Sequence, residues 1–166
     1  MFDKSRAGGV FKITCHDPQG NLKWETQSHN LVVNQGLQDM NTKYFTGSGY
    51  SAAWFVGLIT GPTPATITAT DTLASKAWTE FTSYTGNRKA AVFGTATTAD
   101  PSVINNTASK AQFAITSSGD VVGAFLCAAA TGTPTLFSAS NFSSPGNRTV
   151  ANGDQLNVEY TFSLEA

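Results

Sequence analysis

The end of the chain alternates between apolar and polar residues. The apolar positions recur at every second residue, at Leu156, Val158, Tyr160, Phe162 and Leu164. A strand turns successive side chains to opposite faces, so this pattern predicts a long strand with one face in a core and one in water. Asn152 and Gly153, just before it, are typical of a tight turn.

A hairpin is predicted near the start of the chain. Phe11, Ile13 and Cys15 share one face of a first strand, and the apolar positions of a second strand begin at Leu22. The segment Asp-Pro-Gln-Gly at residues 17–20 has the composition of the turn between them.

Helical spacing occurs in two short segments. Over residues 34–45 the residues at that spacing are Leu37, Met40, Asn41 and Tyr44, with Asn34 as the predicted N-cap and Gly47 as the stop. Residues 71–78 predict two further helical turns, capped by Asp71 and packed inward through Leu73, Ala74, Ala77 and Trp78.

Short strands separated by turn residues make up most of the remaining chain. They are predicted at residues 54–59, 80–84, 88–94, 111–116, 121–127 and 135–140, while the Pro- and Thr-rich loop 61–70 is expected to add nothing to the core. Such spacing indicates an all-β domain, a β-sandwich or barrel with one or two short helices. Residues 1–9 are short and polar and predict a flexible N-terminal arm, and residues 10–166 predict a single domain.

The low charge of the chain argues against a nucleic-acid partner and favours contact with other proteins in an assembly. Only 13% of the 166 residues are charged, against roughly 25% in an average protein. The net charge of −1 and the scattered basic residues argue against nucleic-acid binding, which needs clustered Lys and Arg. No apolar run approaches the length of a membrane span. A surface of low charge is expected where part of it is covered in an assembly.

Residues with reactive side chains do not form a recognisable catalytic or metal motif. Cys15 and Cys127 lie in apolar stretches and are predicted to be small buried hydrophobes. His16 follows Cys15 in a strand, so the two point to opposite faces and cannot share a metal. If the chain were a glycosidase, Glu80 and Glu159 would be the best candidates for its pair of catalytic carboxylates. Glu159, however, lies on the polar face of a strand, where solvent-exposed carboxylates are common. The expectation is a protein with no catalytic residues, cofactor or metal.

An ordered series of short motifs carries a resemblance to a known family. The motifs are Leu31–Leu37, Trp54–Leu58, Asp71–Leu73, Trp78–Glu80, Tyr84 with Arg88, Asn105–Ala108, Val122–Leu126, Leu136–Ser138 and Gly153–Tyr160. Through this series, from about residue 10 onward, the chain resembles a family of small virion proteins of tailed bacteriophages, some of which are similar to the cement or decoration proteins that cover the capsid shell.

The resemblance implies a jelly-roll-like sandwich without enzymatic activity. Such a protein binds the outer surface of the major capsid protein shell, associates with itself as a dimer or trimer, and stabilises the head. It is expected on the virion after synthesis in the host cytoplasm. Within the arm, Phe2, Lys4 and Arg6 are the residues predicted to contact the capsid.

Two other classes of function compete with this prediction. A tail or fibre component would bind host-surface glycan, using loop 61–70 and an aromatic residue such as Tyr50. A small cell-wall hydrolase would need a catalytic pair, and the sequence offers no better one than Glu80 and Glu159.

Overall fold

The computed structural model describes residues 5–47, 49, 52–143 and 146–166. Over these residues the chain is mostly β, with two antiparallel sheets, helix α1 (Asn34–Thr46) and a single 3-10 turn at Thr107–Ser109. In the same part of the chain, no helix is both long and apolar enough to cross a membrane. The strands are β1 (Arg6–His16), β2 (Leu22–His29), β3 (Leu31–Val32), β4 (Phe55–Thr60), β5 (Thr79–Phe81), β6 (Lys89–Ala90), β7 (Ser102–Asn105), β8 (Ala111–Ala114), β9 (Gly119–Cys127), β10 (Leu136–Asn141), β11 (Arg148–Val150) and β12 (Gln155–Glu165).

The first sheet has five strands and is built around the predicted terminal strand. Its order is β2-β1-β12, and β7 and β8 pair with successive parts of the other edge of β12. Strands β1 and β12 pair along their whole length, from Arg6 with Glu165 to His16 with Gln155. The hairpin and the long alternating strand are therefore confirmed.

Strand β1 begins at Arg6, so Arg6–Gly9, which the sequence analysis assigned to the arm, pair with β12. Strand β12 runs on to Glu165, and its terminal backbone groups are satisfied by pairing with these residues. Gly9 also fits the fold closely, since a Cβ there would lie against the ring of Tyr160. Of the predicted arm contacts, Arg6 is thus a strand residue, and Phe2 and Lys4 lie outside the described residues.

The second sheet has seven strands and packs face to face with the first. Its order is β3-β10-β9-β4-β5, with β11 beside β9 and β6 beside β4. Side chains from both sheets form the main core, including Phe11, Ile13, Val158 and Tyr160 from the first and Val56, Leu58, Ala124 and Leu126 from the second. The all-β sandwich predicted from the sequence is confirmed.

A second apolar cluster covers the opposite face of the seven-stranded sheet. Phe125, Ile59 and Leu136 point into it from the sheet, and residues 65–78 lie over them. The Trp78 ring packs on Phe125 with centroids 5.2 Å apart. The prediction that loop 61–70 lacks core residues is wrong, because Ala65 and Ile67 pack against this cluster.

The second predicted helix is also wrong, since residues 71–78 form bends and turns. The Asp71 carboxylate accepts hydrogen bonds from Trp78 Nε1 at 2.9 Å and from Thr68 Oγ1 at 2.6 Å. These contacts hold the segment against the sheet in a compact, non-helical path. The predicted inward packing is confirmed for Leu73 and Trp78, which are buried in the second cluster, and is wrong for Ala74 and Ala77, which are exposed.

Helix α1 ends as predicted and lies on the sandwich through the face that carries Gly36. Gly47 adopts φ 63° and stops the helix, whereas Asn34 is its first residue and Val33 is the N-cap. Gly36 is buried, and a Cβ there would meet the backbone of Phe137 in β10. Because the helix approaches the sheet through Gly36, Tyr44 faces solvent.

Candidate interaction surface

The two carboxylates considered for catalysis lie on different sheets and are engaged in ion pairs. Glu80 in β5 accepts two hydrogen bonds from Arg88, at 2.9 and 2.8 Å. Glu159 in β12 pairs with Lys110 at 2.7 Å. Burial would raise the pKa of Glu159, but hydrogen bonds from Lys110 and Thr107 outweigh it and hold the pKa below its usual value. The structure does not bring Glu80 and Glu159 together as a dyad.

The histidine and cysteine beside one another in β1 point apart, as predicted. Cys15 is fully buried in the main core, while His16 lies on the outer face with Nδ1 3.4 Å from the side-chain amide of Asn157. The Cys15 thiol donates to Asp154 at 3.7 Å. Among the described residues, no group of three or more His, Cys, Asp or Glu side chains is placed to hold a metal ion.

Both thiols are expected to resist modification in the folded protein. Burial and the nearby Asp154 carboxylate raise the pKa of Cys15 to about 12, and burial also raises the pKa of Cys127. We expect native protein to react with dithiobis(nitrobenzoate) at least about 1,000-fold more slowly than free cysteine, because the thiolate is the reactive form. Unfolding the protein in guanidinium should make two thiols per chain reactive. Rapid titration of either thiol before denaturation would contradict the buried placement.

Asp154 is a structural carboxylate at the turn before β12. It accepts a hydrogen bond from the backbone N–H of Ala151 at 2.8 Å and so stabilises the turn. It also forms an ion pair with Lys23, which the sequence did not indicate. The pairing raises the pKa of Lys23, mainly through the hydrogen bond to Asp154.

An apolar groove runs beside the C-terminal half of α1. It has a volume of about 740 Å³, and we call it the aromatic groove. Its apolar walls are formed by Met40, Tyr44, Phe45, Trp54 and Leu164, and its polar rim by Ser5, Asp39, Asn41 and Lys43.

Two aromatic side chains stand almost free in this groove. Tyr44 is 83% exposed and Phe45 is 77% exposed. Their rings meet edge to face, with centroids 4.9 Å apart and planes at 83°. Leu164, near the end of β12, adds a side chain that is 42% exposed. Contiguous apolar exposure of this kind marks sites of contact with other molecules.

The groove adjoins a smaller apolar cavity at the same end of the sandwich, which we call the end cavity. Its volume is about 180 Å³, and it shares Met40 and Trp54 with the groove. The deeper walls are the partly buried Phe93, Ile104 and Phe162 together with the buried Tyr160. The wall residues include no charged side chain.

The start of β1 lies at this same end. Ser5, immediately before β1, lines the aromatic groove together with Leu164. The predicted capsid-contacting arm therefore joins the fold beside the exposed aromatic residues. Arg6 itself is exposed and paired with Glu165 in the sheet register.

The loop considered for glycan binding is held against the second sheet. Ala65 N–H donates to Asn141 Oδ1 at 2.9 Å, and Asn141 Nδ2 donates to the Ala65 carbonyl at 2.7 Å. Together with the partial burial of Ile67, this pair of hydrogen bonds gives the loop a structural role. Tyr50, the other residue considered, lies outside the described residues.

Comparisons with protein-family models, with curated proteins and with solved structures found no match for this chain. The site is therefore defined by its geometry. An apolar groove with exposed aromatic side chains can bury surface against a partner, and its lining residues include no nucleophile paired with a base. The sequence carried one signal for it, because adjacent aromatic residues on a helix lie 100° apart and cannot both point to the centre of one packed face.

Proposed function

We propose that this chain is a non-enzymatic structural protein of a tailed-phage virion. In this role it is a cement or decoration protein that binds the outer surface of the major capsid protein shell and stabilises it. The ordered motifs described above support the phage assignment, and the β-sandwich is compatible with the jelly-roll-like fold that they imply.

The observation that carries the proposal is the exposed aromatic groove. Tyr44 and Phe45 offer a large apolar area to solvent, which favours association with another surface. By contrast, the candidate catalytic carboxylates Glu80 and Glu159 are occupied by Arg88 and Lys110. The molecule thus offers contact area, which is what a cement protein contributes.

The position of the arm fits the same role. Residues 1–4 precede Ser5 at the rim of the groove, so an arm contact and a groove contact would face one region of an assembly. Phe2 and Lys4 remain the proposed capsid contacts, with Arg6 at the start of β1. Many copies on one shell add their contacts, so each can be weak while the whole coat is stable.

The alternative is a tail or fibre component that binds host-surface glycan. This alternative requires loop 61–70 to be exposed and available to bind glycan. Ala65 and Ile67 of that loop instead pack against the second cluster. The structure therefore gives this alternative less support than the sequence did.

The proposal is tested by adding purified protein to phage heads stripped of it and imaging them by electron microscopy. We expect regular density on the outer shell at symmetry axes, and heads that withstand heating better than bare ones. A variant lacking residues 1–4 keeps β1 whole and should bind at least about tenfold more weakly, while Leu22→Ser, at an exposed position in β2, should bind normally. Bare shells with density on tails would replace the cement proposal with the host-binding alternative.

A further inference from the structure

The end cavity is a gap in the packing of the main core. Its wall takes Ile104 and Phe162 from the first sheet. Leu126 and Phe137 come from the second sheet, so the cavity lies between the two sheets at one end of the sandwich. Protein cores are packed as closely as organic crystals, and the atoms around a gap lose contacts that a filling group would restore. An apolar group that enters the end cavity therefore stabilises the fold.

Aromatic rings that pack on one another form much of the wall of the end cavity. Trp54 meets Phe137 edge to face with ring centroids 5.2 Å apart, and Phe137 meets Phe162 in the same way at 5.4 Å. The rings of Phe93 and Tyr160 lie 6.1 Å apart with their planes at 72°. Aromatic rings prefer such tilted contacts at about 4.5–7 Å, so one further ring inside the cavity would find ring edges and faces at the preferred spacing.

Size and polarity restrict what the end cavity can hold. Its volume is about 180 Å³, and an apolar protein cavity of roughly 150 Å³ is large enough to bind benzene. The described residues that form its wall carry no charge. The Tyr160 hydroxyl already accepts hydrogen bonds from Asn30 Nδ2 at 2.7 Å and from Ser138 Oγ at 3.2 Å. Because a polar group that entered would lose its hydrogen bonds to water without replacement, the cavity selects a single hydrocarbon ring.

The end cavity is continuous with the aromatic groove, because Met40 and Trp54 line both. A surface that covers the groove therefore also passes over the cavity. Where a contact offers limited area, its affinity depends on an anchor side chain that fills a pocket, surrounded by residues that exclude water. The exposed side chains of Tyr44, Phe45 and Leu164 are placed to form part of that surrounding ring.

We propose that the end cavity is a binding site for one aromatic ring, and that on the phage head it holds a phenylalanine side chain presented by the major capsid protein. The inference rests on the proposed function, since it names the anchor of the contact that the aromatic groove makes with the shell. Tyr44 and Phe45 remain part of that contact. Ring binding itself can be measured on the purified chain, with benzene as the probe.

The first measurement follows the methyl groups of the full chain by NMR while benzene is added to about 10 mM. We expect the methyl signals of Met40, Ile104 and Leu126 to shift together, with one dissociation constant on the order of 1 mM, because these residues line the cavity. The signals of Ile59 and Leu73, which are buried in the second cluster, should stay in place. No saturable shift at the cavity methyl groups, or equal shifts in both clusters, would overturn the inference.

The second measurement uses Ile104→Trp, which fills the cavity with the chain's own ring. Val103→Trp is the matched control, because neighbouring residues of β7 point to opposite faces and Val103 does not line the cavity. Ile104→Trp should lose benzene binding and attach to stripped heads at least about tenfold more weakly, while Val103→Trp should match the parent chain in both. Circular dichroism should show the parent fold for both variants.

Benzene competition tests the anchor without any substitution. At about 10 mM, benzene should weaken attachment of the parent chain to heads by about tenfold, because it occupies the cavity that the shell side chain needs. Equal attachment with and without benzene would overturn the anchor and leave the cement role standing. A parent chain that leaves shells bare would refute the cement role, and the benzene titration of the free chain would then decide the ring site by itself.

Discussion

Replacing Arg88 with methionine is expected to destabilise the domain by about 3–4 kcal/mol. Arg88 is only 8% exposed at its side chain, and it holds Glu80 through two hydrogen bonds. Its guanidinium also donates to the carbonyls of Ala129 and Gly132 and lies 5.4 Å from the centre of the Phe125 ring. Methionine fills much of the space but leaves the Glu80 carboxylate largely buried without a cation. Thermal unfolding should show the loss as a fall of roughly 6–16 °C in Tm.

A double-mutant cycle separates the ion pair from the packing. Glu80→Gln with Arg88→Met should be more stable than Arg88→Met alone, because the uncompensated charge has been removed. Arg148→Met is the matched control, since the described contact of Arg148 is a hydrogen bond to the neighbouring Asn147 carbonyl, and it should cost less than about 1 kcal/mol. Equal losses for Arg88→Met and Arg148→Met would show that the pair with Glu80 contributes little.

Gly123→Ala is expected to cost more than about 3 kcal/mol or to prevent folding. Gly123 lies in β9, in the middle of the seven-stranded sheet, opposite Asn141 of β10. A Cβ at this position would overlap the Ser140 carbonyl oxygen and lie 3.3 Å from the Asn141 Cα. These are backbone atoms of a paired strand, so no side-chain rotation relieves the overlap and β10 must move away from β9. Urea unfolding monitored by tryptophan fluorescence measures the cost.

Gly8→Ala provides the matched comparison within a strand. Gly8 lies in β1, where a Cβ would meet no atom within 4 Å, and its φ is not in the left-handed region. The same chemical change should therefore leave stability within about 0.5 kcal/mol of the parent chain, or raise it slightly through the unfolded state. Similar stability for the two variants would contradict the close approach of β9 and β10.

The sequence predicted the elements whose pattern is long or strongly marked. Apolar and polar residues alternate over the whole buried part of strand β12, and the β1–β2 hairpin has a recognisable turn sequence. Hydrophobic period and turn composition therefore both predict strands in these segments. Strands β7 and β11 escaped prediction because they are short segments, Ser102–Asn105 and Arg148–Val150, with little alternation of their own. Strand β7 forms because it pairs with a free backbone edge of β12, and β11 because it pairs with a free edge of β9. Since these partners are distant in sequence, the pairing leaves no signal in the local sequence pattern.

Tertiary contacts also decided the two segments where local patterns misled. Residues 71–78 have helical spacing, but the bond from Trp78 Nε1 to the Asp71 carboxylate fixes them in a different path. Residues 61–70 look like a surface loop, yet Ile67 packs on the outer face of the seven-stranded sheet, a contact that no local pattern reveals. Propensity is a weak prior wherever such contacts form.

The groove could be predicted only in part. Helical spacing placed Tyr44 on one face with Leu37 and Met40 but did not show which way that face points, because the close approach at Gly36 sets how the helix is rotated on β10. The sequence does not distinguish Gly36, which must be glycine, from Gly8, which has open space around it. The convergence of Ser5, Trp54 and Leu164 on one groove depends on the sheet register, which is a property of the whole fold.

The full-length pairing of β1 with β12 has a practical consequence for protein engineering. Ser5 and Leu164 line the same groove, so an affinity tag or fluorescent protein fused at either end of this chain would emerge beside it and crowd any partner there. Strand β1 carries the chain away over 11 residues, roughly 35 Å, to the exposed turn at residues 17–20. A displayed protein or a label that must not disturb the groove should therefore be inserted at the turn of residues 17–20.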